Sequence, residues 1–223
     1  MTDAPDRRCY VFDAYGTLFD VHSAVRRFER EIGPAASRLS EVWRAKQLEY
    51  TWIYSRLGKH RPFADVTAKG LDYAIATTVE VGPDLRSRLL KSYLSLDPYP
   101  EVWRALFALK ARSARLAILS NGDPDMLSAV VDYGGFEDIF EAVLSVEAAG
   151  VFKPAPAVYA LASSALGVAP ADITFLSANR WDVAGAKDFG FRSVWVNRNR
   201  LPDEYPDLAA NLVIEDLSTL AKE

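Results

Sequence analysis

The sequence predicts an α/β protein: a doubly wound parallel sheet with a helical cap inserted after its first strand. Three observations carry this. A short apolar run from Cys9 to Phe12 stops at Asp13 with Gly16 close behind, which reads as a buried strand entering a tight loop. From His22 to Leu96 the apolar residues recur at helical spacing. Beyond Pro98 and Pro100, strand-like and helix-like stretches alternate with short connections, as in a parallel sheet covered on both faces.

Within the helical stretch the periodic positions are Leu39, Val42, Trp43, Tyr50, Ile53 and Leu57, then Val66, Leu71, Ile75 and Val79, then Leu85, Leu89 and Tyr93. Gly33-Pro34, Gly58, Arg61-Pro62 and Gly82-Pro83 punctuate them, giving about four helices and no strands. The alternating part predicts a helix over 101–111, a strand over 116–119 and a helix starting near Pro124. A strand over 142–144, a helix over 155–166 and a strand over 173–176 follow. A helix over 183–189 and a strand over 193–196 complete the series, with 212–214 as a candidate for one more strand. The expected domains are an α/β core of residues 1–17 and 98–223 and a cap of residues 18–97.

Bulk properties exclude several classes. A chain of 223 residues that is 50% hydrophobic can bury a real core. Its net charge of -4 and the even spread of its 26 Lys and Arg leave no basic footprint for nucleic acid or an anionic membrane. Cys9 is the only cysteine, so no disulfide forms within the chain, which fits a reducing compartment. The start, MTDAPDRR, lacks the apolar stretch of a signal peptide. The uncharged stretch 155–171 is broken by Gly167 and Pro170, so no run spans a bilayer. A soluble, cytoplasmic protein is expected.

In an open parallel sheet the crevice lies beyond the carboxyl ends of the strands. There the chain places Asp13, then Ser120 and Asn121, then Lys153, then Ser177, Asn179 and Asp182. An acid, hydroxyls, amides and an amine converge on one edge.

The segments FDAYGTLFD, LAILSNG, FKPAPAVY and FLSANRWDVAGAKDFGF resemble, in order and approximate spacing, the four motifs of the haloacid dehalogenase superfamily. The likeness runs nearly the full length, includes the cap segment VWRAKQLEYTW, and is greatest to the type II L-2-haloacid dehalogenases. It implies that Asp13 attacks carbon 2 of a short 2-haloalkanoate, displaces halide and forms an aspartyl ester that water hydrolyses. An L substrate then gives the D-2-hydroxy acid. The resemblance also implies a homodimer and no metal or other cofactor.

The residues agree with that chemistry. Phosphatases of the superfamily carry a second aspartate two residues after the nucleophile, where this chain has Tyr15. They hold magnesium with carboxylates of the fourth motif, where this chain offers Ser177, Ala178 and Asn179, with only Asp182 acidic. Halide leaves without a proton. A haloacid carries one negative charge against about two for a phosphomonoester, so a cationic side chain can stand in for a metal.

The resemblance also implies roles. Thr17 hydrogen-bonds to Asp13 or its loop, a plain turn role being the alternative. Lys153 neutralises Asp13, because a nearby opposite charge favours the ionised form. Ser120 and Asn121, with neighbouring backbone amides, resemble the family's cradle for the substrate carboxylate, and Asn121 also donates to the halide. Arg44 taken alone is a solvated position on a helix. The resemblance makes it the group that meets the departing halide, stabilising charge that exists only as the bond breaks.

Ser177, Asn179 and Asp182 resemble the group that places the hydrolytic water and holds Lys153; which of them takes a proton stays open. Tyr159 orients a neighbour through its hydroxyl or simply packs in the core. Tyr15, Leu48, Phe63 and Trp181 form the apolar wall around halogen and alkyl group, or are core residues. Phe152 stands where the family often has tyrosine, and Ala178 where it often has serine. No function is assigned to His22 or His60. Two rivals remain, a magnesium-dependent phosphatase and a non-catalytic binding protein on the same scaffold. The intact set of Asp13, Arg44, Lys153, Asn179 and Asp182 speaks against the latter.

Overall fold

The computed structural model describes residues 8–221. The expectation about a leader over residues 1–7 therefore lies outside the described residues, as do the outermost ends of the expected core segments.

The first strand, β1 (Cys9–Phe12), is buried at all four positions. Such a continuous apolar run suits the centre of a parallel sheet, which has no solvent face. The sheet continues with β2 (Arg115–Ser120), β3 (Ala142–Ser145), β4 (Ile173–Ser177), β5 (Arg192–Val196) and β6 (Leu212–Ile214). All pairings are parallel and the order is β3-β2-β1-β4-β5-β6. The chain winds outward to one side from β1 and returns on the other at β4. The switch point between β1 and β4 opens the crevice at the carboxyl edge. Phe12 pairs with Leu176 there, so Asp13 and Ser177 emerge side by side.

Helices α6 (Val102–Ala111), α7 (Pro124–Gly134), α8 (Pro156–Leu166) and α9 (Arg180–Phe189) connect the strands. Helix α9 starts at Arg180, three residues earlier than the 183 read from the sequence. The polar residues Asn179, Arg180 and Asp182 make this segment resemble a loop, yet an acid in a first turn suits the positive end of a helix dipole. That places Trp181 and Asp182 on a rigid element.

Between β1 and α6 lies the helical block: α1 (Ser23–Arg26), α2 (Glu29–Ile32), α3 (Ala36–Arg56), α4 (Phe63–Thr78) and α5 (Pro83–Ser92). Among the described residues this stretch holds no strand. Helices α3 and α4 pack closely. A Cβ on Gly70 would lie 3.2 Å from the Trp43 carbonyl oxygen and the Gln47 nitrogen, so glycine permits the approach. The Trp43 indole Nε1 crosses the seam to donate to the Thr67 carbonyl at 2.8 Å. The two crossings into the block run side by side. Tyr99 donates its amide to the Leu18 carbonyl at 3.0 Å, and Asp20 donates to the Asp97 carbonyl at 2.8 Å.

Candidate active site

Asp13 stands one residue past β1, and its amide donates to the Leu176 carbonyl at 2.9 Å, extending the ladder and fixing its backbone. The chain then turns through Gly16, whose φ of +92° is strained for any residue with a Cβ. That turn brings Thr17 back under the carboxylate.

Asp13 is 5% exposed and its two side-chain oxygens differ. Oδ2 accepts from Asn179 Nδ2 at 2.8 Å, from Thr17 Oγ1 at 3.0 Å and, at a longer 3.4 Å, from Ser177 Oγ. Oδ1 accepts from Lys153 Nζ at 3.1 Å. Thr17 is itself fixed, since its Oγ1 accepts from the Ala178 amide at 2.8 Å. Ser177 Oγ likewise accepts from the Asn179 amide at 3.1 Å.

Lys153 is 1% exposed. Its ammonium donates to Asp182 Oδ2 at 2.8 Å as well as to Asp13, and lies 5.0 Å from the Phe175 ring centroid. Burial alone would pull the ammonium down. The Asp13 and Asp182 carboxylates outweigh it and hold Lys153 above the usual lysine value. Burial pushes Asp182 up to about 6, against the pull of Lys153. The remaining Asp182 oxygen, Oδ1, accepts from the Tyr159 hydroxyl at 2.8 Å. Burial raises that hydroxyl well above the ordinary tyrosine value, so it stays a donor. Of the expected group, Ser177 and Asn179 bond to Asp13, and Asp182 is the member that holds Lys153.

The β2 turn forms a second wall. Ser120 Oγ accepts from the Gly122 amide at 3.2 Å, which leaves its proton free to donate. Asn121 Oδ1 accepts from the Lys153 amide at 3.0 Å, which keeps its Nδ2 hydrogens as donors and ties this turn to the lysine loop.

The helical block supplies the third wall. Arg44, on α3, donates from Nη2 to the Tyr15 carbonyl at 3.1 Å and to Asn179 Oδ1 at 3.3 Å. Its Nη1 donates to Gln47 Oε1 at 2.7 Å. The Tyr15 ring packs against Phe63 at 5.4 Å and Tyr93 at 5.9 Å between centroids. Leu48 is half-buried on the same helix as Arg44. Trp181, at the start of α9, meets Trp52 of the block edge-on at 5.6 Å rather than Tyr15 or Phe63.

The sequence reading passed over several residues. Asp123 follows the Ser120 turn and precedes Pro124, which reads as the cap of α7. Its carboxylate instead accepts the amides of Phe63 and Ala64, at 2.7 Å each, capping α4 across the seam. Ser55 Oγ accepts from the Phe152 amide at 3.1 Å. Arg198 donates to the Thr17 carbonyl at 2.9 Å and to Glu101 at 2.6 Å, bracing the nucleophile loop from behind. These are contacts between distant segments, so local pattern carries no trace of them. Gln47 is different. It lies three residues after Arg44 on a helix, a spacing that places two side chains on one face.

Comparison with known proteins places the chain in a family. Residues 8–190 match the family model described as haloacid dehalogenase-like hydrolase. The chain is 40% identical over 217 residues to (S)-2-haloacid dehalogenase 1 of Pseudomonas sp. strain CBS-3, covering 97% of this chain and 95% of the relative. It is 44% identical over 191 residues to the (S)-2-haloacid dehalogenase of Pseudomonas sp. strain YL, covering 84% of this chain and 81% of that one. Its fold superposes with a TM-score of 0.86 on the L-2-haloacid dehalogenase of Xanthobacter autotrophicus with chloropropionic acid covalently bound, at 37% identity and covering 97% of each chain. The chain belongs to the haloacid dehalogenase-like hydrolases, in the branch of the (S)-2-haloacid dehalogenases.

Proposed function

We propose that this protein hydrolyses short L-2-haloacids to D-2-hydroxy acids and halide, with Asp13 as nucleophile and without a metal. The observation that carries the reading is the unequal treatment of the two Asp13 oxygens. Oδ2 is held by Thr17, Asn179 and Ser177, while Oδ1 meets Lys153 alone and keeps lone pairs for attack. Attack of Oδ1 on carbon 2 from the face opposite the halogen inverts that centre and expels halide with its bonding electron pair.

The donors already in place then serve the second step. In the ester Oδ2 is the carbonyl oxygen, and water adding to Cγ puts negative charge on it, where three donors stand ready. Collapse expels the product through Oδ1, so the product keeps the enzyme's oxygen and Asp13 keeps the water's. Asp182, with its affinity for a proton lifted by burial, accepts the proton that water sheds and returns it to the departing product oxygen, while the water's second proton leaves the new carboxyl for solvent. Lys153 sits between the two carboxylates and supplies the positive charge there.

Ser120, Asn121 and the amides around them receive the substrate carboxylate. Arg44 reaches down from residues 18–97, which act as a cap over a core formed by the rest of the chain. It meets the halide as charge develops, and Tyr15, Leu48, Phe63 and Trp181 enclose halogen and alkyl group. A homodimer in the cytoplasm completes the reading. It is supported by Trp52 and Ile53 on α3 and Leu57 just past its end, which are 40–59% exposed, and by the single buried cysteine.

The test is halide release from L- and D-2-chloropropionate with chelator present, for the unmutated protein and Asp13→Asn. The expected result is release from the L form alone, indifferent to chelator and lost by at least about 10⁴-fold in the variant. A single turnover in heavy-oxygen water should label the Asp13 carboxylate. An unlabelled enzyme that has turned over sinks the ester.

A further inference from the structure

We infer that Gln47 is a positioning residue for the reaction, fixing the plane of the Arg44 guanidinium so that it faces the departing halide. The inference rests on the role proposed above for Arg44 and names the part of the molecule that sets it.

Gln47 is fully buried in the middle of α3, where an amide is costly unless every polar atom is paired. Its Oε1 accepts from Arg44 Nη1 at 2.7 Å and from the Tyr93 hydroxyl at 3.3 Å. Its Nε2 donates to Thr67 Oγ1 at 2.7 Å. Thr67 in turn spends its proton on the Phe63 carbonyl at 2.7 Å.

This network admits one orientation of the amide. Arginine has no acceptor, so the group facing Nη1 must be the oxygen. Thr67 Oγ1 has already donated its proton, so the group facing it must be the nitrogen. A flipped amide would set donor against donor at Arg44. Arg44 is therefore held from behind by a short bond to a neutral acceptor, and in front by the Tyr15 carbonyl and Asn179. A planar guanidinium pinned at both ends has its plane fixed, and with it the directions of its remaining hydrogens. A neutral acceptor leaves the full positive charge for the halide, whereas a carboxylate at this place would cancel it.

The experiment is a double-mutant cycle of Gln47→Leu and Arg44→Ala, read by single-turnover release of chloride and bromide from the L-2-halopropionates. Gln47→Leu should slow release roughly ten- to a hundredfold, the range for losing one charge-assisted bond, with the KM little changed. Chloride, the poorer leaving group, should suffer more than bromide. In the Arg44→Ala background the same substitution should cost less than about threefold, because residues that act through one another are not additive.

An equal factor in both backgrounds, or an equal loss for both halides, means a merely structural role and overturns the inference. Arg44→Ala that releases both halides at the unmutated rate refutes the role given to Arg44 itself, and this inference with it. Slow Arg44→Ala beside additive Gln47→Leu refutes this inference alone. Should Gln47→Leu not fold, Gln47→Met keeps the chain length without the acceptor, and Thr67→Val loosens the amide from its other end. Either must raise the bromide-to-chloride ratio, and an unchanged ratio in a folded variant counts against the proposal.

Discussion

The two sides of the cleft are built on different principles. On the sheet side Asp13, Ser120 and Ser177 sit at or one residue past strand ends, and ladder pairing fixes their backbones. Lys153 and Asp182 are locked to them by ionic hydrogen bonds with both partners fully or nearly fully buried. On the helical side Arg44 and Phe63 meet Tyr15 from a block joined to the core by two adjacent crossings. A few hydrogen bonds seat it: Asp123 on the start of α4, Ser55 on Phe152, and Arg44 on Tyr15 and Asn179. Placement by the sheet is rigid and tolerates no unpaired charge. Placement by the block is adjustable and lost by degrees.

That difference orders the consequences of substitution. Lys153→Met breaks the sheet side hardest, because it leaves two buried carboxylates facing one another with no cation. Activity should vanish, and unfolding free energy near neutral pH should drop by about 3–5 kcal/mol, the usual result of stripping one partner from a buried pair. The drop should shrink at pH 5, where one carboxylate takes a proton, and denaturant titration at both pH values would show it. A drop of the same size at both would mean that the carboxylates are not ionised together.

Arg44→Ala tests the helical side at its functional tip. One preorganised donor in a dry site contributes on the order of 3 kcal/mol, so alkylation should slow about 10²-fold while stability changes little. Steady-state halide release with parallel thermal melts reads both.

The next effect comes from pH. Asp182 is raised to about 6, chiefly by burial, and must be ionised to hold Lys153 and accept a proton. The rate should therefore fall as pH drops through about 6. The linkage sign for stability is opposite to that of an ordinary salt-bridged aspartate. The folded form binds this proton more tightly than the unfolded chain, so the contribution of Asp182 favours folding at low pH and weakens as pH rises through about 6. A flat rate profile between pH 5 and 8 would contradict the assignment.

The smallest effect belongs to the seam. Asp123→Ala frees the amides of Phe63 and Ala64, and losing a helix cap costs about 1 kcal/mol. Hydrogen exchange at those two amides should quicken while the core strands stay protected, with only a modest rise in KM. Uniform quickening across the sheet would make Asp123 a residue of global stability instead of a seat for the block.

The same contrast explains what the sequence disclosed. The strands, their parallel sense and the polar residue after each were legible because apolar runs and their punctuation are local signals. So was the convergence of Asp13, Lys153, Ser177, Asn179 and Asp182, since strand ends in an open sheet share one edge. Local pattern alone left Arg44 indistinguishable from a solvated position on a helix, and only the family motif pointed it inward. Asp123 misled for a physical reason: an acid before a proline satisfies a local rule, and the tertiary structure spends it on another helix. The start of α9 is hidden in the sequence because Asn179, Arg180 and Asp182 look like a loop, even though Asp182 is fully buried in the helix's first turn.

The two-sided cleft has a further consequence for where charge travels. Ester formation removes the negative charge from Asp13, on the sheet side, and delivers it to a halide beside Arg44, on the block side. The total within the closed space is the same before and after, and only its location moves. Lys153 does not lose its counter-ion when this happens, because Asp182 stays bonded to it at 2.8 Å. The first half of the reaction is thus an internal transfer of one charge between two cations already in place, and no ion need be drawn in from water to complete it.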